Sequence, residues 1–241
     1  MKTTVITMMI GSLAIGAAQA VIIAEDNFNS YTSTEDVGGQ NGGSGTPGWS
    51  GAWSGGDGDF VVTSGAALGR GFSLNERDFS GGAITIGVND TMTVDFTLIR
   101  NETQSGRGIG LQLLNGSGFT YFIGKRQNGT VGLHITGTTN ATGSNLINFA
   151  SSGTEENIKA IITYDGTNTS IKLEDSNETG LAPYTFAGQL TVDGIGIQSL
   201  HASTLTNGID NISVDVTTVP EPSSAALLGL SGVALFLRRR K

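Results

Sequence analysis

Along residues 91–99, TMTVDFTLI, apolar and polar side chains alternate without a break. Met92, Val94, Phe96 and Leu98 share one face, and Thr91, Thr93, Asp95 and Thr97 share the other. A period of two sustained over four to nine residues predicts a strand with one buried face. The same period runs through Val131/Leu133/Ile135, Ile158/Ala160/Ile162/Tyr164, Ile171/Leu173, Ile195/Ile197 and Ile212/Val214/Val216. Turn clusters separate these runs: Gly81-Gly82, Asn89-Asp90, Asn115-Gly116, Asn128-Gly129, Asp165-Gly166 and Asn207-Gly208. Gly and Asn supply the positive φ angles that tight hairpins need. No body segment keeps a 3.6-residue apolar period for three turns. The pattern predicts about eleven to thirteen mostly antiparallel strands in two packed sheets, an all-β sandwich.

Residues 25–58 break the pattern. The stretch EDNFNSYTSTEDVGGQNGGSGTPGWSGAWSGGDG is rich in Gly, poor in alternation, and carries both tryptophans, Trp49 and Trp53. A long segment of this kind is an arm laid over the sandwich, with the rings as anchors.

Both ends read as processing segments. Met1–Ala20 has one early Lys, an apolar stretch and the small-x-small site Ala18-Gln19-Ala20, the layout of a signal helix removed by signal peptidase after Ala20. At the other end, Pro220-Glu221-Pro222 is barred from helix and sheet interiors by its two prolines. The uncharged run 225–237 follows, at about 20 Å of helix too short for a comfortable membrane span. Arg238, Arg239, Arg240 and Lys241 close the chain as a basic stop. The expected organisation is therefore a signal peptide over 1–20, one sandwich domain over 21–218, and a terminal signal with a short transmembrane segment over 219–241.

Composition narrows the function further. Residues 21–219 carry 8 Lys+Arg against 20 Asp+Glu, a surface that repels nucleic acid and anionic membrane. Membrane contact is expected only through the C-terminal signal. There is no cysteine, so disulfides, thiol chemistry and Cys-based zinc sites are excluded. Eight Asn-x-Ser/Thr sequons, among them Asn89, Asn101, Asn115 and Asn211, follow from a chain this rich in Asn, Ser and Thr.

Candidate chemistry is sparse. The acidic groups Glu174/Asp175/Glu178 and Glu155/Glu156 read as solvated charges. His134 and His201 lack the neighbouring Asp and the activated Ser that a triad requires. Trp49 and Trp53 have two readings: platforms for sugar rings, or clamps holding the arm to the core. Tyr121, with Lys125 and Arg126, is expected at an exposed rim. Asp57 and Asp59 have Asp-x-Asp spacing that suits calcium, with Asp210 joining the same ion if the first and last strands are neighbours. No cofactor is required by any of these residues.

Two resemblances add to this reading. The order DNF…GGQNGG…GWSGAW, then YFIGKRQNGTVGLHI, IKAIITYDGTNTSIKLED and GIDNISVDV, resembles the concanavalin A-like, laminin-G-like jelly-roll domains of bacterial surface proteins. That resemblance implies two curved antiparallel sheets with the last strand beside the first. It also implies frequent carbohydrate binding, often with calcium, and sometimes glycosidase activity. The laminarinase-like carboxylate pattern Glu-x-Asp-x-x-Glu is missing, so a non-enzyme is expected, with a glycan hydrolase or lyase and a purely adhesive protein as the alternatives. The terminal Pro220-Glu221-Pro222, apolar run and basic cluster resemble the PEP-CTERM sorting signal of Gram-negative bacteria. This implies processing by an exosortase and export to the cell surface or an exopolysaccharide matrix.

Overall fold

The computed structural model describes residues 18–55, 59–100, 108–116, 120–125, 131–136, 143–149, 155–175 and 179–219. Ala20–Thr217 form one compact unit; Met1–Gln19 and Thr218–Lys241 make up a second. Of the signal peptide expected over residues 1–20, residues 1–17 lie outside the described residues, while Ala18 is described and Gln19 and Ala20 begin β1; the sorting motif and helix expected from Pro220 onward also lie outside them.

The strands follow in chain order. The first five are β1 (Gln19–Asp26), β2 (Phe60–Thr63), β3 (Ala66–Asp78), β4 (Ile84–Thr85) and β5 (Thr91–Arg100). Next come β6 (Gly108–Leu114), β7 (Thr120–Lys125), β8 (Val131–Thr136), β9 (Gly143–Phe149) and β10 (Glu155–Tyr164). The last are β11 (Asn168–Glu174), β12 (Tyr184–Ala187), β13 (Thr191–Val192) and β14 (Gly194–Thr218). All assigned strand–strand registers are antiparallel. Apart from the two-residue ladder of β4 with β13, the pairings form one connected sheet that folds into two layers, with β1 and the β2–β3 pair branching from β14 off the main path.

The 25-residue β14 joins those layers. Its first part, Gly194–Leu200, pairs with β6 and through it with β7, β8 and β9. Its second part, Asn207–Thr217, pairs with β5 and through it with β10, β11 and β12. β3 bends alongside it, meeting Gly194–Ala202 with Gly71–Asp78 and Asn207–Ile209 with Ala67–Gly69. Bulges between Ser199 and Ala202 and between Ala202 and Asn207 absorb the bend. Asn207-Gly208, expected as a hairpin turn, lies inside this strand, and Asn207 is buried. The pair reads as a turn in sequence because the residues that bend a strand between sheets are the ones that reverse a hairpin. β1 pairs with β14, so the first and last strands are neighbours.

Burial follows the alternation in the first layer. Met92, Val94, Phe96 and Leu98 of β5, Ile158, Ala160 and Ile162 of β10, and Ile171 and Leu173 of β11 all face the core. Leu111 and Leu113, Ile123, Leu133 and Ile135, and Ile195 and Ile197 meet them from the second layer. Each such Val, Leu, Ile, Met or Phe side chain contributes about 1.5–3 kcal/mol by leaving water. The second layer is also buried on its other face. There Gln112, Phe122 and His134 stand in register, with the Phe122 and His134 rings 5.9 Å apart. Gly110 makes this possible: a Cβ at that position would lie 2.5 Å from the Phe122 ring, which rests across it.

Candidate functional site

The site grows from the way β1 leaves the sandwich. Alternation turns Ala24 and Asp26 inward and leaves Glu25 exposed. The arm then returns along β1. Glu25 and Ser44 exchange backbone hydrogen bonds of 2.8 and 2.9 Å, and Thr46 and Gly48 donate to the carbonyls of Ile22 and Ile23. Trp49 Nε1 donates to the Glu25 carbonyl at 2.9 Å.

Beneath the arm lies a buried polar network centred on Arg77 of β3. Arg77 NH1 donates to Asp26 Oδ2 at 2.9 Å, to the Tyr31 hydroxyl at 3.0 Å and to the Gly42 carbonyl at 2.9 Å. Its Nε donates to the Gly51 carbonyl at 2.8 Å, and NH2 donates to Asn41 Oδ1. The guanidinium also lies 5.2 Å from the Trp49 ring centre and 5.8 Å from that of Trp53. Asp26 is equally committed, accepting from Trp53 Nε1, the Tyr31 hydroxyl and the Phe28 amide. Burial, and then the Asp26 carboxylate, raise the Tyr31 phenol above its ordinary pKa, so it stays a donor.

Where β1 ends, a cleft of about 430 Å³ opens between β1, the arm and β14. It is lined by Glu25, Asp26, Asn27, Ser30, Gly43, Ser44, Asn211, Ile212 and Ser213. Asn211 sits on a bulge of β14, between the pairings of Asp210 and Ser213 with β5, at φ +51°. Its amide and side-chain Nδ2 both donate to the Asp210 carboxylate, which fixes that conformation. Burial, reinforced by Asp26 and Glu155, raises the Asp210 pKa against the opposing hydrogen bond from Asn211. Phe28, at φ +54°, is a second left-handed residue beside the cleft, pinned by a fully buried ring packed edge-on to Tyr31. Left-handed non-glycine residues cost free energy and cluster where a surface is shaped for a task.

The other residues singled out by sequence fall elsewhere. Trp53 is 2% exposed and hydrogen-bonded inside the Arg77 network, whereas Trp49 is half-buried and stacks on Phe79 at 5.7 Å. Tyr121 and Lys125, expected on an exposed rim, face inward: β7 alternates so that Tyr121 shares the core face with Ile123 and Lys125. Burial, then the neighbouring Tyr184, push the Tyr121 phenol up to about 12. Arg126 and Asp57 lie outside the described residues. Asp59 and Asp210 do not approach one another. Asp59 is opposite Arg70, whereas Asp210 follows the Ile209–Ala67 pair, four positions along β3 and about 13 Å away. One calcium ion, with ligands at about 2.3–2.6 Å, does not fit between them. Among the described residues no group of three or more His, Cys, Asp or Glu side chains could hold a metal ion. Glu156 is buried in an ion pair with Arg100, and Glu174 pairs with Lys172. His134 is fully buried on Phe122.

Residues 218–241 match the PEP-CTERM protein-sorting motif, which covers Pro220, Glu221, Pro222 and the terminal Arg238, Arg239 and Arg240. The motif implies export through an exosortase and sorting to the cell surface in Gram-negative bacteria. A search of curated proteins found no match. Among solved structures, the chain is similar to the Emp47p carbohydrate recognition domain at 10% identity, over 82% of this chain and 96% of that one, with a TM-score of 0.43. The Ca2+/Man2-bound VIP36 exoplasmic/lumenal domain is similar at 12% identity over 78% and 88% of the two chains, with a TM-score of 0.46. Arcelin-5, a lectin-like defense protein from Phaseolus vulgaris, is similar at 12% identity over 83% and 97%, with a TM-score of 0.44.

Proposed function

We propose that this is a non-catalytic, exported glycan-binding protein whose cleft at the end of β1 holds a short stretch of polysaccharide. The observation that carries the reading is the lining of that cleft. Glu25, Asn27, Ser30, Ser44, Asn211 and Ser213 present carboxylate, amide and hydroxyl groups around a volume of ligand-binding size. A sugar brings many hydroxyls that must exchange water for protein partners, and such a lining offers both donors and acceptors. Trp49 borders the same arm segment; a Cβ on Gly43 would lie 2.9 Å from its Nε1. Its half-buried ring is better placed to meet a sugar face than the enclosed Trp53.

The carboxylates support binding without hydrolysis. Glycoside hydrolysis uses two carboxyl groups flanking one bond. Glu25 and Asp26 are consecutive on a strand and point to opposite faces, and Asp26 is held by Arg77, Trp53 and Tyr31. The sorting motif supports a ligand met outside the cell, such as the exopolysaccharide of the producing cell, with an exosortase as partner during export.

The test applies the protein, recovered as exported from producing cells, to an array of neutral, cationic and anionic polysaccharides with and without added calcium. Saturable binding to at least one class is expected. Absence of binding under both conditions overturns the reading, and release of reducing ends from a bound glycan overturns its non-catalytic part.

A further inference from the structure

The charges around the cleft are one-sided. Glu25 lines it and is exposed, Asp26 lines it, and Asp210 holds the bulge that carries Asn211. Glu155 lies close enough to Asp210 to act on its carboxyl group. Among the described residues that line it there is neither Lys, Arg nor His. The nearby cation, Arg77, is 2% exposed and spends its donors on Asp26, Tyr31, Asn41, Gly42 and Gly51. It balances Asp26 and leaves Glu25 and Asp210 without a cation among the lining side chains. Ser44 Oγ donates to Glu25 Oε1, which holds that carboxylate in place and leaves its second oxygen as an acceptor.

Resting on the reading of this cleft as a glycan site, we propose that it selects amino sugars: a glycan carrying a protonated amine seated against Glu25. A uronic acid or a sulfated or phosphorylated sugar would bring an anion beside Glu25 and Asp210, with no lysine or arginine among the described lining residues to receive it. A neutral sugar satisfies the hydroxyl and amide lining but leaves the Glu25 charge unanswered. An ammonium group answers it with a charge-assisted hydrogen bond, which is shorter and stronger than a neutral one. Partial solvent exposure keeps the gain modest, so the preference is a few-fold to about tenfold.

The test compares a β-linked glucosamine oligosaccharide with its fully N-acetylated counterpart and with an oligogalacturonate, at a pH where the amine is protonated. The exported protein and its Glu25→Gln variant are titrated with each. The amine form is expected to bind about three- to tenfold tighter than the acetylated form, and the uronate weakest. Glu25→Gln is expected to bring the affinities for the amine and acetylated forms to within about twofold of one another, with the melting temperature unchanged because the Ser44 contact is kept. Equal affinities for the two glucosamine forms overturn charge selection and leave glycan binding standing. A preference that survives Glu25→Gln also overturns it, assigning the attraction to the net negative chain as a whole. Failure of all three oligosaccharides to bind overturns this inference, while binding of another glycan on the polysaccharide array leaves the glycan site standing.

Discussion

The arm and the sandwich are held by different physics. In the sandwich, Met92, Val94, Phe96 and Leu98 face Leu111, Ile123, Leu133 and Ile197 in one apolar cluster, and stability is spread over many interchangeable contacts. The arm between β1 and β2 has few large apolar residues. It is sewn down by scattered backbone bridges, such as Glu25–Ser44, Asp36–Val61 and Trp49–Phe79, and by the single buried guanidinium of Arg77. A Gly-rich segment is therefore fixed by a few anchors, the buried Phe28, Val37 and Trp53 side chains together with this hub, so its order is concentrated in few residues. The cleft lies on the seam between the two. The sandwich supplies Asn211 and Ser213, and the arm supplies Gly43 and Ser44.

The sharpest way to break this contrast is Arg77→Ala. It leaves Asp26 buried without its cation, a change that costs about 3–5 kcal/mol. Hydrogen exchange should show the arm amides of Gly39, Ser44 and Ser50 losing protection while β5 keeps its own. Uniform loss would mean that the arm and sandwich are one cooperative unit. Leu111→Ala should cost about 2–5 kcal/mol by opening a cavity, and denaturant unfolding should then lower arm and sheet protection together. Gly110→Ala places a Cβ 2.5 Å from both the Ile123 carbonyl and the Phe122 ring. A loss of about 1–3 kcal/mol is expected in the same unfolding measurement.

Smaller effects separate the cleft from the fold. Asn211→Gly removes a cleft side chain while accepting φ +51° without strain, so stability should stay within about 0.5 kcal/mol. Asp210 gives the smallest effect. Its folded-state pKa is raised, so the favourable contribution belongs to the protonated form, present at acid pH and lost as pH rises through the folded value. At neutral pH the ionised carboxylate is a cost. Asp210→Asn should therefore melt slightly higher than the parent at neutral pH, and the difference should vanish below the carboxylate range.

The legible and illegible parts of the fold divide along the same seam. The strands β5, β10 and β11 could be read from sequence because one face of each meets the core and the other meets water. β3 could not: in FSLNERD the apolar Phe72 and Leu74 share a face, yet the structure buries Ser73, Asn75 and Arg77 and leaves Phe72 61% exposed. The arm covers the polar face, and hydropathy holds no record of that cover. Trp49 and Trp53 marked the arm as pinned, but their partner Arg77 lies 28 and 24 residues away and carries no motif. Glu25, Ser44 and Asn211 come together only after the arm has folded back on β1. Asn211 was visible only as one of eight sequons, because a left-handed bulge residue has no signature beyond being Asn.

The most direct measurement is calorimetric titration of the exported protein, and of its Asn211→Gly variant, with the oligosaccharide that binds best, alongside thermal melts of both. The cleft reading predicts saturable binding by the parent and about tenfold weaker binding by the variant, with melting temperatures that agree. Equal affinity in the two proteins would contradict it and move the ligand away from the seam between arm and sandwich.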